Sequence, residues 1–212
     1  MRRLVDIIAA AIALVVLSPV LAIVALAVAL DSPGSPFYRG WRAGKEGRNF
    51  RMWKFRTMVS GAAKAGPITG RNDRRVTRIG RLLRKTKLDE LPQFINVLTG
   101  DMTLVGPRPE SPDIVALYTP SQRAVLAVKP GVTGRVQLDS GEESETIPEG
   151  ADPHEYYLEH LMERKLGADL DYLRVRTPLT DARIVFETAA YVLLCLAGRP
   201  RDRFRKQTAV LD

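Results

Sequence analysis

The sequence has one cysteine, Cys195, which excludes an intramolecular disulfide and a cysteine-built zinc cluster within one chain. Its two histidines, His154 and His160, are too few for a histidine-rich metal site. No internal repeat or low-complexity segment interrupts the 212 residues, which suffice for one domain with a core. The glycine signatures of the usual nucleotide folds are missing, with no G-x-x-x-x-G-K-[ST] loop and no G-x-G-x-x-G turn. A G-x-S-x-G nucleophile elbow is missing too.

Positive charge is abundant and unevenly spread. The formal net charge is +8, and residues 34–90 hold sixteen Lys/Arg against four acids. Residues 139–172 hold eleven acids against two bases. The basic half implies a phosphate-rich partner: a nucleic acid, anionic lipid head groups or a nucleotide.

Ile7 to Leu30 is an uncharged apolar run of 24 residues. As a straight helix it would measure about 36 Å, enough to cross a hydrocarbon core of roughly 30 Å. It is longer than a signal-peptide core and has no small-x-small cleavage site before a polar start. Two readings remain, a single proline-kinked span or a hairpin that returns. Ser18-Pro19 divides the run into two equal arms, each about 18 Å long as helix, and proline there removes a donor and clashes with the turn before it. Ser18 can bond a carbonyl that Pro19 leaves free. Both flanks are basic, Arg2 and Arg3 before and Arg39, Arg42, Lys45 and Arg48 after, which favours both ends on the cytoplasmic side and hence the hairpin.

Further along, residues 31–36 (DSPGSP) read as a turn, and Phe50–Met58 as a strand or an interfacial segment. Gly61–Asp73 reads as a loop. Arg74–Lys87 has an amphipathic helical pattern with Val76, Ile79, Leu82 and Leu83 on its apolar face. Its arginine-rich face is either a solvated surface or one lying on an anionic membrane. Pro92–Leu98 is expected to form a short helix closed by Gly100, with Asp89 and Glu90 just before its N-terminus. Val105–Pro109 and Lys129–Gly134 read as turns. Asp152–Leu173 and Asp181–Leu196 read as helices, the second too short in its continuous apolar run to span.

Asp89 and Glu90 lie side by side at the edge of the basic region, with Arg84 before and Arg108 after. An isolated Asp-Glu pair is ordinarily an exposed helix start. Framed by arginines and prolines, it suits phosphoryl chemistry. An ionised aspartate can attack phosphorus, arginine forks can hold phosphate oxygens, and the carboxylates can hold Mg²⁺.

The motifs FRTM at 55–58, LDELPQFINVLTGDMTLVGPRP at 88–109 and KPGVTG at 129–134 closely resemble those of the bacterial sugar transferases, the monotopic phosphoglycosyl transferases. The likeness runs from the Ser-Pro break to KLGADLDYLRVRTPLTDARIVF at 165–186. It implies transfer of a sugar 1-phosphate from a UDP-sugar to polyprenyl (undecaprenyl) phosphate through a phosphosugar-aspartate intermediate, with release of UMP and a need for Mg²⁺. Carried onto this chain, Asp89 is the nucleophile and Glu90 its partner, both candidates for the metal. Lys54, Arg56, Arg84 and Arg108 match basic positions near the phosphates, Asp169 matches an acid of the tail, and Ser18 and Pro19 match the helix break.

The implied architecture is α+β and mainly helical. A re-entrant membrane helix (1–33) precedes a compact catalytic domain with interfacial amphipathic helices (34–200) and a basic tail (201–212). The implied place is the cytoplasmic face of a bacterial inner membrane. The expected partners are the UDP-sugar, the polyprenyl phosphate and the bilayer, with no nucleic acid; monomer and homodimer both stay open. Many larger relatives carry an Asn-Gly-Arg-Asn stretch after the TG turn, where this chain has RVQLDSGEESE (135–145). That departure, and a length with no room for extra N-terminal spans, matches the small single-module type. Arg135 is a candidate substitute for the missing base. Two rivals explain part of the pattern: a membrane-surface phosphate transferase or pyrophosphatase of other specificity, and a non-catalytic protein binding anionic lipid.

Overall fold

The computed structural model describes residues 2–62, 68–70, 73–140 and 146–198. The expected basic tail and most of the expected loop at 61–73 lie outside these residues. The fold is mixed and mainly helical.

The apolar run forms α1 (Arg2–Val16) and α2 (Ser18–Asp31), bent by 62° at the break. No single helix among the described residues is long and apolar enough to cross a membrane, whereas this bent pair passes that test jointly. Pro19 has no N–H to give to the carbonyl of Val15, and Ser18 Oγ donates to that carbonyl at 2.8 Å. The Ser-Pro break thus has the local chemistry its sequence implies.

β1 (Phe37–Ala43) and β2 (Asn49–Phe55) form an antiparallel hairpin in which Tyr38 faces Lys54. After it, the expected helix at 74–87 is shorter. Val76 forms an isolated bridge with Met58, and α3 (Arg78–Thr86) starts only where Thr77 Oγ1 accepts from Gly80 N at 3.0 Å. Of the expected apolar face, Ile79 and Leu83 pack against α2 and β2, but Leu82 is 56% exposed, so the packed stripe is narrower than the sequence suggests.

α3 ends at Lys87, whose φ of 60° is rare for a residue with a side chain. That left-handed step turns the chain into a 3₁₀ turn, Leu88–Glu90, which carries the carboxylate pair. α4 (Gln93–Thr99) follows Pro92, and Gly100 at φ 94° closes it as the sequence indicates.

β3 (Thr103–Val105) leads to the 106–109 turn, then α5 (Pro112–Ala116) and a 3₁₀ stretch, Gln122–Ala127. The segment at 129–134, expected as a turn, instead contains β4 (Gly131–Thr133), which runs parallel to β3. Gly106 N donates to Thr133 O at 3.0 Å and Gly131 N to Pro107 O at 2.9 Å. Glycine at 106 and 131 is needed for this approach, since a Cβ on either would run into the other backbone. A three-residue strand is too short to show alternation, so periodicity could not reveal it.

α6 (Arg135–Ser140), α7 (Pro153–Tyr156), a π-helical turn (Tyr157–Leu161), α8 (Met162–Val175) and α9 (Pro178–Leu196) complete the chain. The N-terminal hairpin is docked on the rest. Ala10 of α1 shares a core with Phe50, Met52, Val97 and Met102, and Val24 and Val28 of α2 share one with Phe55 and Leu83. Arg3 of α1 donates to the carbonyls of Val97 and Leu98 at the end of α4, and Asp6 accepts from Thr103 Oγ1 at 2.7 Å. The helix therefore turns Arg3 and Asp6 inward while Leu4, Val5, Ile8, Ile12, Val15 and Val16 stay exposed.

Candidate active site

Asp89 and Glu90 are adjacent in one tight turn but have different surroundings. Glu90 Oε1 accepts from Lys54 Nζ at 2.8 Å and from Arg108 Nη2 at 2.9 Å, and Arg108 Nη1 reaches Oε2 at 3.4 Å. Burial opposes the Glu90 charge, but Arg108, Lys54 and Lys87 outweigh it and hold the carboxyl well below the usual range. Glu90 is a fixed anion binding two cations to one place.

Asp89 is only 6% exposed, and its Oδ1 has no hydrogen-bond partner among the described residues. Burial pushes its carboxyl up, against the pull of Lys54, Lys87 and Arg84. Burial likewise lowers Lys54 despite its pairing with Glu90. A buried carboxylate with an unused oxygen, facing fixed cations, has the features of a nucleophile or an unfilled metal ligand.

Arg84 reaches this region from α3, held by Nε donating to Thr57 Oγ1 at 3.0 Å. Arg56 is spent elsewhere. Its guanidinium donates to Pro33 O at 2.8 Å and to Ser32 O and Val28 O, tying down the end of α2. The structure thus brings Lys54, Arg84 and Arg108 to the pair, while Arg56 anchors the helix leading into the hairpin. Arg135 is engaged by Asp139 at 2.9 Å and Glu187 at 3.5 Å, so its charge is matched.

Asp169 lies on α8 beneath the 106–109 turn, 4% exposed, with the backbone N–H of Arg108 donating to its carboxyl. Burial raises it to about 7, against the pull of Lys165 and that N–H. Beside it stands a group the sequence reading missed. Glu110 accepts from Tyr157 Oη at 2.5 Å and from Lys165 Nζ at 2.9 Å. Two signals were present: Glu110 directly follows GPRP, and Lys165 is one of just two bases in the acidic stretch 139–172. The chain on either side of Arg108 is thereby pinned to α8 and the π-helical turn.

A groove opens over this centre, lined by Lys54, Arg84, Asp89, Arg108, Ser111 and Gln137 and, among its apolar side chains, by Phe94, residues of α9, and Leu17 and Val20 at the helix break.

The model of a family described as bacterial sugar transferase matches residues 1–195. The chain is 40% identical over 193 residues to a protein of Escherichia coli (strain K12) named UDP-glucose:undecaprenyl-phosphate glucose-1-phosphate transferase, covering 89% of this chain and 39% of that protein. It is 36% identical to a protein of Aeromonas hydrophila named UDP-N-acetylgalactosamine-undecaprenyl-phosphate N-acetylgalactosaminephosphotransferase, covering 93% of this chain and 45% of that one. The exopolysaccharide production protein PSS of Rhizobium leguminosarum bv. phaseoli is also 36% identical, with 89% of this chain and 92% of that protein covered. The chain thus spans less than half the length of the first two relatives and nearly all of the third.

Proposed function

The chain belongs to the bacterial sugar transferase family, and on that footing we propose that it moves a sugar 1-phosphate from a UDP-sugar to undecaprenyl phosphate in two steps at Asp89. The observation that carries this is the buried Asp89 Oδ1, unpartnered among the described residues, beside a Glu90 that already holds Lys54 and Arg108.

In the first step the Asp89 carboxylate attacks the β-phosphorus of the donor. An Asp89 oxygen–phosphorus bond forms, the bond to the bridging oxygen breaks, and UMP leaves with that electron pair. Arg108 and Lys54, organised by Glu90, face the charge that spreads over the phosphoryl oxygens. In the second step an oxygen of the lipid phosphate attacks the same phosphorus, and Asp89 leaves as a carboxylate. Fixed cations matter here because burial disfavours the Asp89 carboxylate, and Lys54, Lys87 and Arg84 oppose that effect.

The residues also fit Mg²⁺. Among the described residues no group of three or more Asp, Glu, His or Cys could cage a metal. Mg²⁺ is commonly held by one or two carboxylates together with substrate phosphates. The Asp89 oxygen that does not attack would be the main protein ligand, with Glu90 occupied as the orienting anion. When bound, the ion would neutralise phosphate charge during transfer.

The N-terminal hairpin fits a re-entrant element in the cytoplasmic leaflet. Many of its apolar side chains are exposed, Arg3 and Asp6 bond inward to α4 and β3, and it is bent by 62° at a proline. The apolar groove reaching the break suits a polyprenyl chain whose phosphate stands at Asp89. An assay of UMP release from a panel of UDP-sugars, with and without undecaprenyl phosphate, tests the reading. UMP release and a labelled lipid product are expected, and neither product from any donor contradicts it.

A further inference from the structure

Besides Asp89 and the Nε of Arg56, two side chains lining the same groove carry buried polar atoms without hydrogen-bond partners among the described residues: buried Ser111 through Oγ, and half-buried Gln137 through both Oε1 and Nε2. Native proteins rarely leave such groups unmatched, because a buried donor or acceptor without a partner loses its hydration for nothing. Ser111 sits at the N-cap of α5, where a serine ordinarily turns its hydroxyl onto the helix amides, yet it makes no such bond. Gln137 lies in the first turn of α6. Gly134 leaves room for it, since a Cβ there would stand 2.7 Å from Gln137 Oε1.

The topology brings the two together. Ser111 follows β3 through the 106–110 turn, and Gln137 follows β4 through Gly134. β3 and β4 are parallel, so both connections leave the same end of the pair. Ligands of parallel sheets bind outside the carboxyl ends of the strands. Arg108, which pairs with Glu90, stands on the first of these connections.

We propose that Ser111 and Gln137 form the sugar subsite of the donor, hydrogen-bonding the hydroxyl or amide groups of the hexose carried on the transferred phosphate. The assignment rests on the transferase reading above. A carboxamide offers a donor and an acceptor together and a serine hydroxyl can act as either, a set that matches a hexose bearing several hydroxyls. A uracil ring presents flat apolar faces and calls for an aromatic partner. The aromatic side chains of the groove, Phe37, Tyr38, Trp41, Phe55, Phe94 and Tyr191, stand on β1, β2, α4 and α9, on other elements than Ser111 and Gln137. The transferred phosphate must meet Asp89, so its sugar must lie in this groove. These two residues would then help determine which sugar is accepted.

The test uses the full-length protein with Gln137→Leu and Ser111→Ala. Three quantities are read for each: KM for the donor, affinity for UMP alone, and Tm without ligand. Donors are UDP-glucose, UDP-galactose, UDP-N-acetylglucosamine and UDP-N-acetylgalactosamine, with undecaprenyl phosphate as acceptor. The expected result is a KM raised roughly tenfold or more by each variant, UMP affinity unchanged, and a Tm equal to or above wild type, because an unmatched polar group has been removed. An unchanged KM in both variants overturns the subsite. A parallel loss of UMP affinity places the residues on the nucleotide and overturns the sugar assignment. A lowered Tm with unchanged KM makes them structural and overturns it too. A wild type that releases UMP from none of the four donors overturns the transferase reading and this inference with it.

Discussion

Arg108 and Glu90 meet through both arms of the guanidinium, Nη2 at 2.9 Å from Oε1 and Nη1 at 3.4 Å from Oε2. The pair joins the stiff 106–109 turn to the turn carrying Asp89, and it holds a cation at a fixed place on the residue next to Asp89. Replacing Arg108 by Ala should lower kcat about 10²- to 10³-fold, the loss typical when one fixed donor to a developing oxyanion is removed. Arg108→Lys keeps the charge but not the planar fork, so it should recover only part of the loss. Full activity with lysine would show that a generic charge suffices.

Glu110 should act on the reaction through Arg108. It sits two residues away and is tied to Tyr157 and Lys165. Glu110→Gln weakens that tie and leaves the Lys165 ammonium less well matched, so kcat should fall roughly tenfold with little change in donor KM. A double-mutant cycle separates positioning from stability. In an Arg108→Ala background the Glu110→Gln change should cost almost nothing further in kcat, while any effect on Tm persists. An equal kcat loss in both backgrounds would contradict the positioning role.

Asp169 gives stability a pH dependence. Burial raises its carboxyl to about 7, whereas an unfolded aspartate titrates near 4. The folded state therefore keeps a proton that the unfolded state releases. This contribution is fully present below pH ~4 and is lost as the pH rises through 7. Between pH 5 and 6 the wild type should lose about 1.4 kcal/mol per pH unit relative to Asp169→Asn, or roughly 3–6 °C in Tm, and the loss should flatten as the pH passes 7. Parallel Tm curves for the two proteins would show that the Asp169 carboxyl is ionised throughout.

These details show where sequence reading succeeds and stops. The Ser-Pro break was legible because one residue removes a donor and its neighbour supplies one to the same carbonyl, a rule acting within four residues. Gly100 was legible for the same local reason, whereas the Asp-Glu pair stood out only through its framing by Arg84 and Arg108 and through the likeness to the family. Arg56 was not legible. Its sequence neighbours place it in a basic run, but its partners are carbonyls 23 to 28 positions away at the end of α2. The 129–134 segment was hidden because its strand exists only through pairing with β3, and Glu110 because its partners come from α8 and the π-helical turn. Leu82 shows the limit of periodicity, which names an apolar face without saying how much of it will be covered.

The topology proposal rests on Ser18 and Pro19. With Cys195 replaced, single cysteines at Arg2→Cys and Arg39→Cys should both stay unlabelled by an impermeant reagent in intact cells. Ser18→Ala with Pro19→Ala lets the 24-residue run straighten toward a length of about 36 Å, enough to span. The basic residues at both ends then compete for the cytoplasmic side, so a mixed orientation and reduced transfer are expected. Labelling of the residue-2 cysteine from outside, in a protein with the native Ser-Pro pair, would contradict the hairpin.

The most direct test of the central claim is the intact mass of the protein incubated with its UDP-sugar and Mg²⁺ but no lipid acceptor. The wild type should gain one sugar phosphate, located by peptide mapping at Asp89 and released on adding undecaprenyl phosphate. Asp89→Asn, with the attacking charge gone, should gain nothing and lose turnover by several orders of magnitude. No adduct on a wild type that turns over, together with near-normal turnover in Asp89→Asn, would show that the phosphosugar passes to the lipid without ever resting on Asp89.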